Sequence, residues 1–250
     1  GFEDKKEVEY YYPTSDLVTA PEIMFFWVAR MIIAGYEYMG EKPFSNVYYT
    51  GIVRDLKGRK MSKSLGNSPD PLELIQKYGA DGVRVGMLFS SPAGNDLLFD
   101  EKLCEQGRNF SNKIWNAFRF LTMNMEEGED YQPASDFDEN SLVDRWMAAR
   151  IHQTIKNVDQ DFSNYRPNDA LKKIYSLLWD DFFDWYIELI KPAEYGQKIP
   201  KRKLEVALGF FEELMRMLHP FMPFITEEIW QYINNRSEDE ALIVSDWPEY

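Results

Sequence analysis

Beyond residue 100 the apolar side chains recur at helical spacing. Phe110, Ile114, Ala117, Phe118 and Leu121 fall three and four positions apart and predict a helix over residues 101–124. Leu142, Trp146, Ala149 and Ile155 mark a second long helix. Pro167 opens a third, carrying Leu178, Phe182, Trp185 and Leu189 and stopping before Pro192. Pro200 starts a fourth with Leu204, Leu208, Phe211, Leu214, Met215 and Leu218, until Pro220 and Pro223 break it; a fifth runs from about Phe224 to Asn234. His219, next to Pro220, caps or packs at a helix end. Residues 126–140 are acidic and aperiodic and read as a linker. Five antiparallel helices with short joints predict a bundle.

The first hundred residues follow another rhythm. Asp16–Thr19 reads as a short strand ending in a turn at Ala20-Pro21, after which Pro21 and Glu22 suit a helix start. The run from Ile23 to Ile33 is apolar almost all round, which predicts a helix buried on most sides, fraying at Gly35 and Gly40. Residues 46–53, rich in Val, Tyr and Ile, predict a buried strand. Asp70-Pro71-Leu72-Glu73 supplies an N-cap, a proline at the first helical position and an acid in the first turn, so a short helix should run to Gly79; a second begins at Asp81. Residues 90–95 form a turn cluster ahead of a brief strand at Leu97–Phe99. Strand, helix, strand, loop and helix in alternation point to part of an α/β sheet with parallel strands.

The composition agrees with two packed domains, 1–100 and 101–250. Apolar residues make up 44% of the 250 and aromatics 16%, too many for a disordered chain. A single cysteine, Cys104, cannot form an internal disulfide or a thiolate metal cluster, which fits a reducing, cytoplasmic setting. His152 and His219 lack metal-ligand spacing, so no structural metal is expected. No run of about 18 uncharged apolar residues suggests a membrane span, and residues 1–6 lack an export signal. The missing initiator Met suggests a piece of a longer protein.

Charge singles out one stretch. The chain carries a net −14, which argues against a broad polyelectrolyte surface. Within residues 42–63, however, Lys42, Arg54, Lys57, Arg59, Lys60 and Lys63 meet one acid, Asp55. Gly58 to Asn67 brings cations, hydroxyls and glycines together, the chemistry of a loop that follows polyphosphate oxygens; a solvated basic turn is the alternative. It is not a Walker loop, because Gly-x-x-x-x-Gly-Lys-Ser/Thr is absent. On the first bundle helix, Asn109, Asn112, Lys113 and Asn116 share one face. Asn is a poor helix residue, so the stripe serves hydrogen bonding either to neighbouring backbone or to RNA.

Lys60-Met61-Ser62-Lys63-Ser64 with Leu65-Gly66-Asn67 resembles the second signature of class I aminoacyl-tRNA synthetases. Phe25–Met31, Gly51–Asp55, Tyr78–Asp81 and Asn112–Ala117 look like the valyl branch of that family, and Leu218–Phe224 resembles its helical anticodon-binding domain. The resemblance implies the carboxyl half of a Rossmann-like catalytic fold followed by an all-α bundle. It implies activation of valine with ATP and Mg2+ and transfer to the tRNA for valine, in a parent that is monomeric. Lys60 and Lys63 would hold the β- and γ-phosphates, with Lys63 acting chiefly as pyrophosphate departs. Ser62 and Ser64 would shape the loop around Met61, while Ile23 and Trp27 would hold the valine side chain. Ala20 and Glu22 stand where the family has a Gly and an acid near the adenylate ribose, so Glu22 is the expected ribose contact. The first signature, His-x-Gly-His, does not occur in the chain, nor do the editing insertion and the carboxyl-terminal arm. The expectation is a segment inactive alone and able to bind tRNA. A stand-alone RNA-binding or helical interaction module without catalysis is the competing class.

Overall fold

The computed structural model describes residues 5–90, 96–194, 196–234 and 236–249. Two compact units emerge, one of residues 1–67 with 91–99, the other of residues 68–90 with 100–250.

In the first unit, helix α1 (Lys5–Tyr11) precedes strand β1 (Thr14–Thr19). A turn of 3-10 helix at Pro21–Ile23, a π-helical turn at Met24–Val28 and α2 (Ala29–Met39) follow, and lead to β2 (Phe44–Tyr49). β1 and β2 run parallel, with Asp16 opposite Asn46 and Val18 opposite Tyr48, so this segment is a β-α-β unit. The stretch expected as one strand over 46–53 is instead divided. Thr50 N–H closes the β1 ladder on Thr19 O, the chain turns away, and β3 (Val53–Arg54) pairs in parallel with β4 (Leu97–Leu98) in a second sheet. The predicted turn at 90–95 lies, from 91 on, outside the described residues. α1 was not foreseen, since its Tyr and Val positions also fit an extended reading.

The apolar helix at 23–33 departs from expectation. Val28 is buried, whereas Phe25 is 82% exposed, and Phe26, Trp27 and Ile33 are more exposed than not. A two-stranded sheet presents too little area to cover a helix that is apolar on every side.

In the second unit, Asp70 caps α3 (Pro71–Tyr78), its carboxylate accepting from Leu72 N–H at 2.8 Å. α4 (Ala80–Phe89) packs closely on α5 (Glu101–Met123). A Cβ at Gly86 would lie 2.6 Å from Cys104 N, and one at Gly107 2.5 Å from Gly82 O, so glycine on both helices permits the approach. α6 (Leu142–Ser163) and α7 (Pro167–Ser176) follow. α7 continues through a π-helical stretch, Leu177–Tyr186, into α8 (Ile187–Leu189). α9 (Lys201–Leu218) and α10 (Pro223–Ile233) complete the bundle. Phe110, Ile114, Ile151, Phe182, Phe211 and Leu214 are fully buried in one continuous core.

Residues 126–140 are irregular as expected, yet they are no free linker. Tyr131 is buried, Ala134 N–H donates to Glu205 O, and the Phe137 ring meets that of Phe210. Gly209 on α9 lets this strap lie down, since a Cβ there would sit 2.0 Å from Ala134 O.

The joint between α9 and α10 is fastened by α4. Asp81, buried, accepts from Phe224 N–H (3.3 Å) and Ile225 N–H (2.8 Å) at the start of α10. Arg84 donates to Phe221 O and Pro220 O. His219 caps α9 as expected, and its Nδ1 lies 2.7 Å from Thr226 Oγ1. The Thr226 hydroxyl donates to Met222 O, so Nδ1 carries the ring proton and donates to Thr226. Nε2 is buried without a partner, and burial lowers the pKa of His219. No helix among the described residues is long and apolar enough to cross a membrane.

Candidate functional site

The basic loop is built from a hairpin. Arg54 and Lys60 face each other in an antiparallel bridge, and Asp55 N–H donates to Arg59 O. Between them the turn is filled by the Asp55 side chain. Its Oδ1 accepts from Lys57 N–H (3.0 Å) and Arg59 N–H (2.9 Å), and its Oδ2 from Arg59 Nε (2.8 Å). Gly58 turns at φ +75°, a conformation that side chains resist. Arg54 pairs with Asp96, whose other oxygen accepts from Ile52 N–H, which ties the hairpin to the strand entering at β4.

After Lys60 the chain passes half-buried Met61 and forms one 3-10 turn at Lys63–Leu65. Ser62 caps that turn, its hydroxyl accepting from Leu65 N–H (3.2 Å) and lying 3.1 Å from Ser64 Oγ. Gly66, at φ +62°, ends it. Asn67 then reaches back with both ends of its amide. Nδ2 donates to Asp55 Oδ2 (3.0 Å) and Lys60 O (3.3 Å), while Oδ1 accepts from Ser62 N–H (2.9 Å). The Asn67 amide, followed by Arg59, holds the Asp55 carboxyl well below the usual carboxylate range.

Of the residues expected to meet ATP, Lys60 and Glu22 are in contact, Nζ to Oε2 at 2.6 Å. Lys63 is exposed and has no ion-pair partner among the described residues. Ile23 is half-buried, and Trp27 is exposed with the Arg30 guanidinium 5.4 Å above its ring. A groove of about 1010 Å³ in this unit is lined by Val8, Tyr11, Met31, Gly35 and Pro43, and includes none of the expected site residues. Sequence reasoning missed Asp55 and Asn67 as the loop's frame. An Asp three residues before a glycine is a turn signal that could have found the first.

The polar stripe lies on α5. Asn109, Asn112 and Asn116 are exposed, and none of the three amides bonds neighbouring backbone among the described residues. Lys113 is engaged, 2.5 Å from Asp184 Oδ1 and 4.0 Å above the Trp179 ring. Among the described residues no group of three His, Cys, Asp or Glu side chains could hold a metal ion.

A lysine-bearing loop framed at the end of a β-α-β unit, joined in one chain to a helical bundle, defines a type of protein. Residues 1–100 match the family model described as class I tRNA synthetases (I, L, M and V), and residues 144–250 match the anticodon-binding domain of tRNA ligase. Residues 1–100 are thus similar to the class I tRNA synthetases and residues 144–250 to their anticodon-binding domain. Within that class it is similar to valine–tRNA ligases: 60% identical to that of Phocaeicola vulgatus over 96% of this chain, and 56% to that of Parabacteroides distasonis over 98%. The Oceanobacillus iheyensis enzyme is 47% identical over 99% of the chain. The chain spans 27–28% of the length of these relatives.

Solved structures share the fold. A ternary complex of Agrobacterium radiobacter LeuRS with tRNA and LeuAMS aligns with a TM-score of 0.73 at 24% identity, over 95% of this chain and 28% of that one. Mycobacterium tuberculosis methionyl-tRNA synthetase bound by methionyl-adenylate aligns at 0.70 and 20%, over 96% and 48%.

Proposed function

We propose that the protein containing these residues activates valine with ATP and esterifies it to the tRNA for valine, and that this segment supplies the phosphate loop and a tRNA-binding bundle. The observation that carries the reading is the braced Lys60–Ser64 loop in a chain 60% identical to a valine–tRNA ligase. Its two parallel strand pairs are read as the carboxyl half of a Rossmann-like catalytic fold, with residues 1–100 serving catalysis and 101–250 the anticodon.

In this reading Lys60 and Lys63 hold the β- and γ-phosphates while the valine carboxylate attacks the α-phosphorus, and Lys63 stabilises charge gathering on departing pyrophosphate. Mg2+ arrives on the nucleotide. Lys60 must leave Glu22, at small cost, because an exposed ion pair is worth only about 0–1 kcal/mol. Glu22 is then released toward the adenylate ribose. Ile23 and Trp27 hold the valine side chain, and such an apolar surface separates valine from threonine weakly, so editing elsewhere in the parent is required. The parent acts as a cytoplasmic monomer.

The test is valine-dependent pyrophosphate exchange. The full-length enzyme should catalyse it and the 250-residue chain should not. Lys63→Ala in the full-length enzyme should slow adenylate formation at least about 100-fold, as loss of one transition-state charge contact does. An unchanged rate removes Lys63 from the mechanism, and exchange by the isolated chain refutes its inactivity.

The α5 stripe supports a tRNA contact in the bundle, because the Asn112 and Asn116 amides are exposed and hydrogen-bond nothing described here.

A further inference from the structure

We propose that Asn67 and Asp55 are positioning residues of the activation reaction, a two-residue brace that fixes the backbone of the Lys60–Ser64 loop from which its lysines reach the phosphates. The inference rests on the reading of that loop as the phosphate site, and adds the device that shapes it.

The geometry is specific to these side chains. Lys60 C=O and Ser62 N–H flank Met61 on the backbone, and both are bonded by one amide, that of Asn67. A side chain that donates and accepts at once, at this length, is an asparagine; aspartate lacks the donor and alanine lacks both. The third bond of Asn67 runs to Asp55, which itself gathers Lys57 N–H, Arg59 N–H and Arg59 Nε. The hairpin before the signature and the turn after it are therefore joined through one Asn–Asp contact spanning 12 positions of sequence. Nothing else described crosses the loop between the Arg54–Lys60 bridge and the Ser62 cap. Without the brace the loop keeps its charges and loses their direction. A misplacement of about 1 Å at a reacting group can cost about 100-fold in rate.

Charge fixes the order of the variants. Asn67→Ala removes three hydrogen bonds. Asn67→Asp keeps an acceptor for Ser62 N–H, yet sets a second carboxylate about 3 Å from Asp55 and against the Lys60 carbonyl, so it repels where the parent attracts. Asp55→Asn combined with Asn67→Asp reverses donor and acceptor and restores the contact.

The experiment is pyrophosphate exchange by the full-length enzyme, with valine KM measured alongside. Asn67→Ala should lower kcat about 10-fold and Asn67→Asp about 100-fold, with valine KM within twofold of the parent and the double variant several-fold faster than Asn67→Asp. Amide hydrogen exchange on the 250-residue chain gives a readout free of catalysis. Ser62 N–H should exchange faster in Asn67→Ala than in the parent, and Lys57 N–H should not. Asn67 variants within twofold of the parent, alongside a slow Lys63→Ala, would overturn the brace and leave the phosphate reading intact. A silent Lys63→Ala would instead overturn that reading. An Asn67→Asp enzyme as fast as Asn67→Ala, or a double variant no faster than Asn67→Asp, also defeats the proposal.

Discussion

Replacing Asp81 by alanine tests what holds the last helix of the bundle. In the parent the buried carboxylate accepts from two free N–H groups at the start of α10, the shorter at 2.8 Å, and stands beside Arg84, which itself grips the carbonyls of Pro220 and Phe221. A hydrogen bond to a charged acceptor contributes about 1.5–3 kcal/mol, and the 3.3 Å bond adds little. Negative charge at a partly buried helix N-terminus adds up to about 2 kcal/mol. Against these stands desolvation, the leading cause of the raised pKa of Asp81. The balance predicts a loss of about 2 kcal/mol for Asp81→Ala. Asp81→Asn keeps one oxygen acceptor but sets an amide N–H against the other helix N–H, and should cost about 1 kcal/mol for the lost bond.

Urea unfolding followed by tryptophan emission suits the measurement, because six of the seven tryptophans belong to the helical unit and only Trp27 to the other. The pH dependence gives a second check. With its pKa raised, the folded protein keeps a proton on Asp81 that the unfolded chain has released, so this group's contribution to stability declines as pH rises through the window just above the ordinary carboxylate range. Asp81→Asn should remove that decline. An Asp81→Ala chain within about 0.5 kcal/mol of the parent, a shift typical of neutral surface changes, would refute the fastening of α10 by α4.

Two further predictions concern the bundle. His219 has a lowered pKa, so below about pH 6.5 the unfolded chain takes up a proton that the folded state refuses, and stability should fall as pH drops from 7 toward 5.5. His219→Asn should flatten that slope in urea titrations; an unchanged slope would show that another group titrates there. In filter binding at fixed salt, the parent chain should prefer the tRNA for valine over a noncognate tRNA. Asn112→Ala with Asn116→Ala should weaken that binding about 10-fold, while retention of full affinity would move the contact off α5.

The sequence by itself determined whatever depends on neighbours within a few positions. Asp70 before Pro71 marked the start of α3, the three-and-four spacing of Phe110, Ile114 and Leu121 marked the buried face of α5, and the prolines at 167 and 200 marked helix starts. The lysine signature was also legible, because its chemistry is carried by adjacent residues. Tertiary structure decided the rest. Periodicity shows that a segment is apolar without showing what area remains to cover it, so the run from Ile23 to Ile33 was expected to be buried on most sides and, Val28 apart, is largely exposed. Composition made residues 126–140 a linker, and only the approach of Gly209 to Ala134 made them a strap. The frame of the loop was hidden for the same reason. Asp55 meets Asn67 across 12 positions and Glu22 meets Lys60 across 38, and no local rule specifies which distant partner a polar side chain will find.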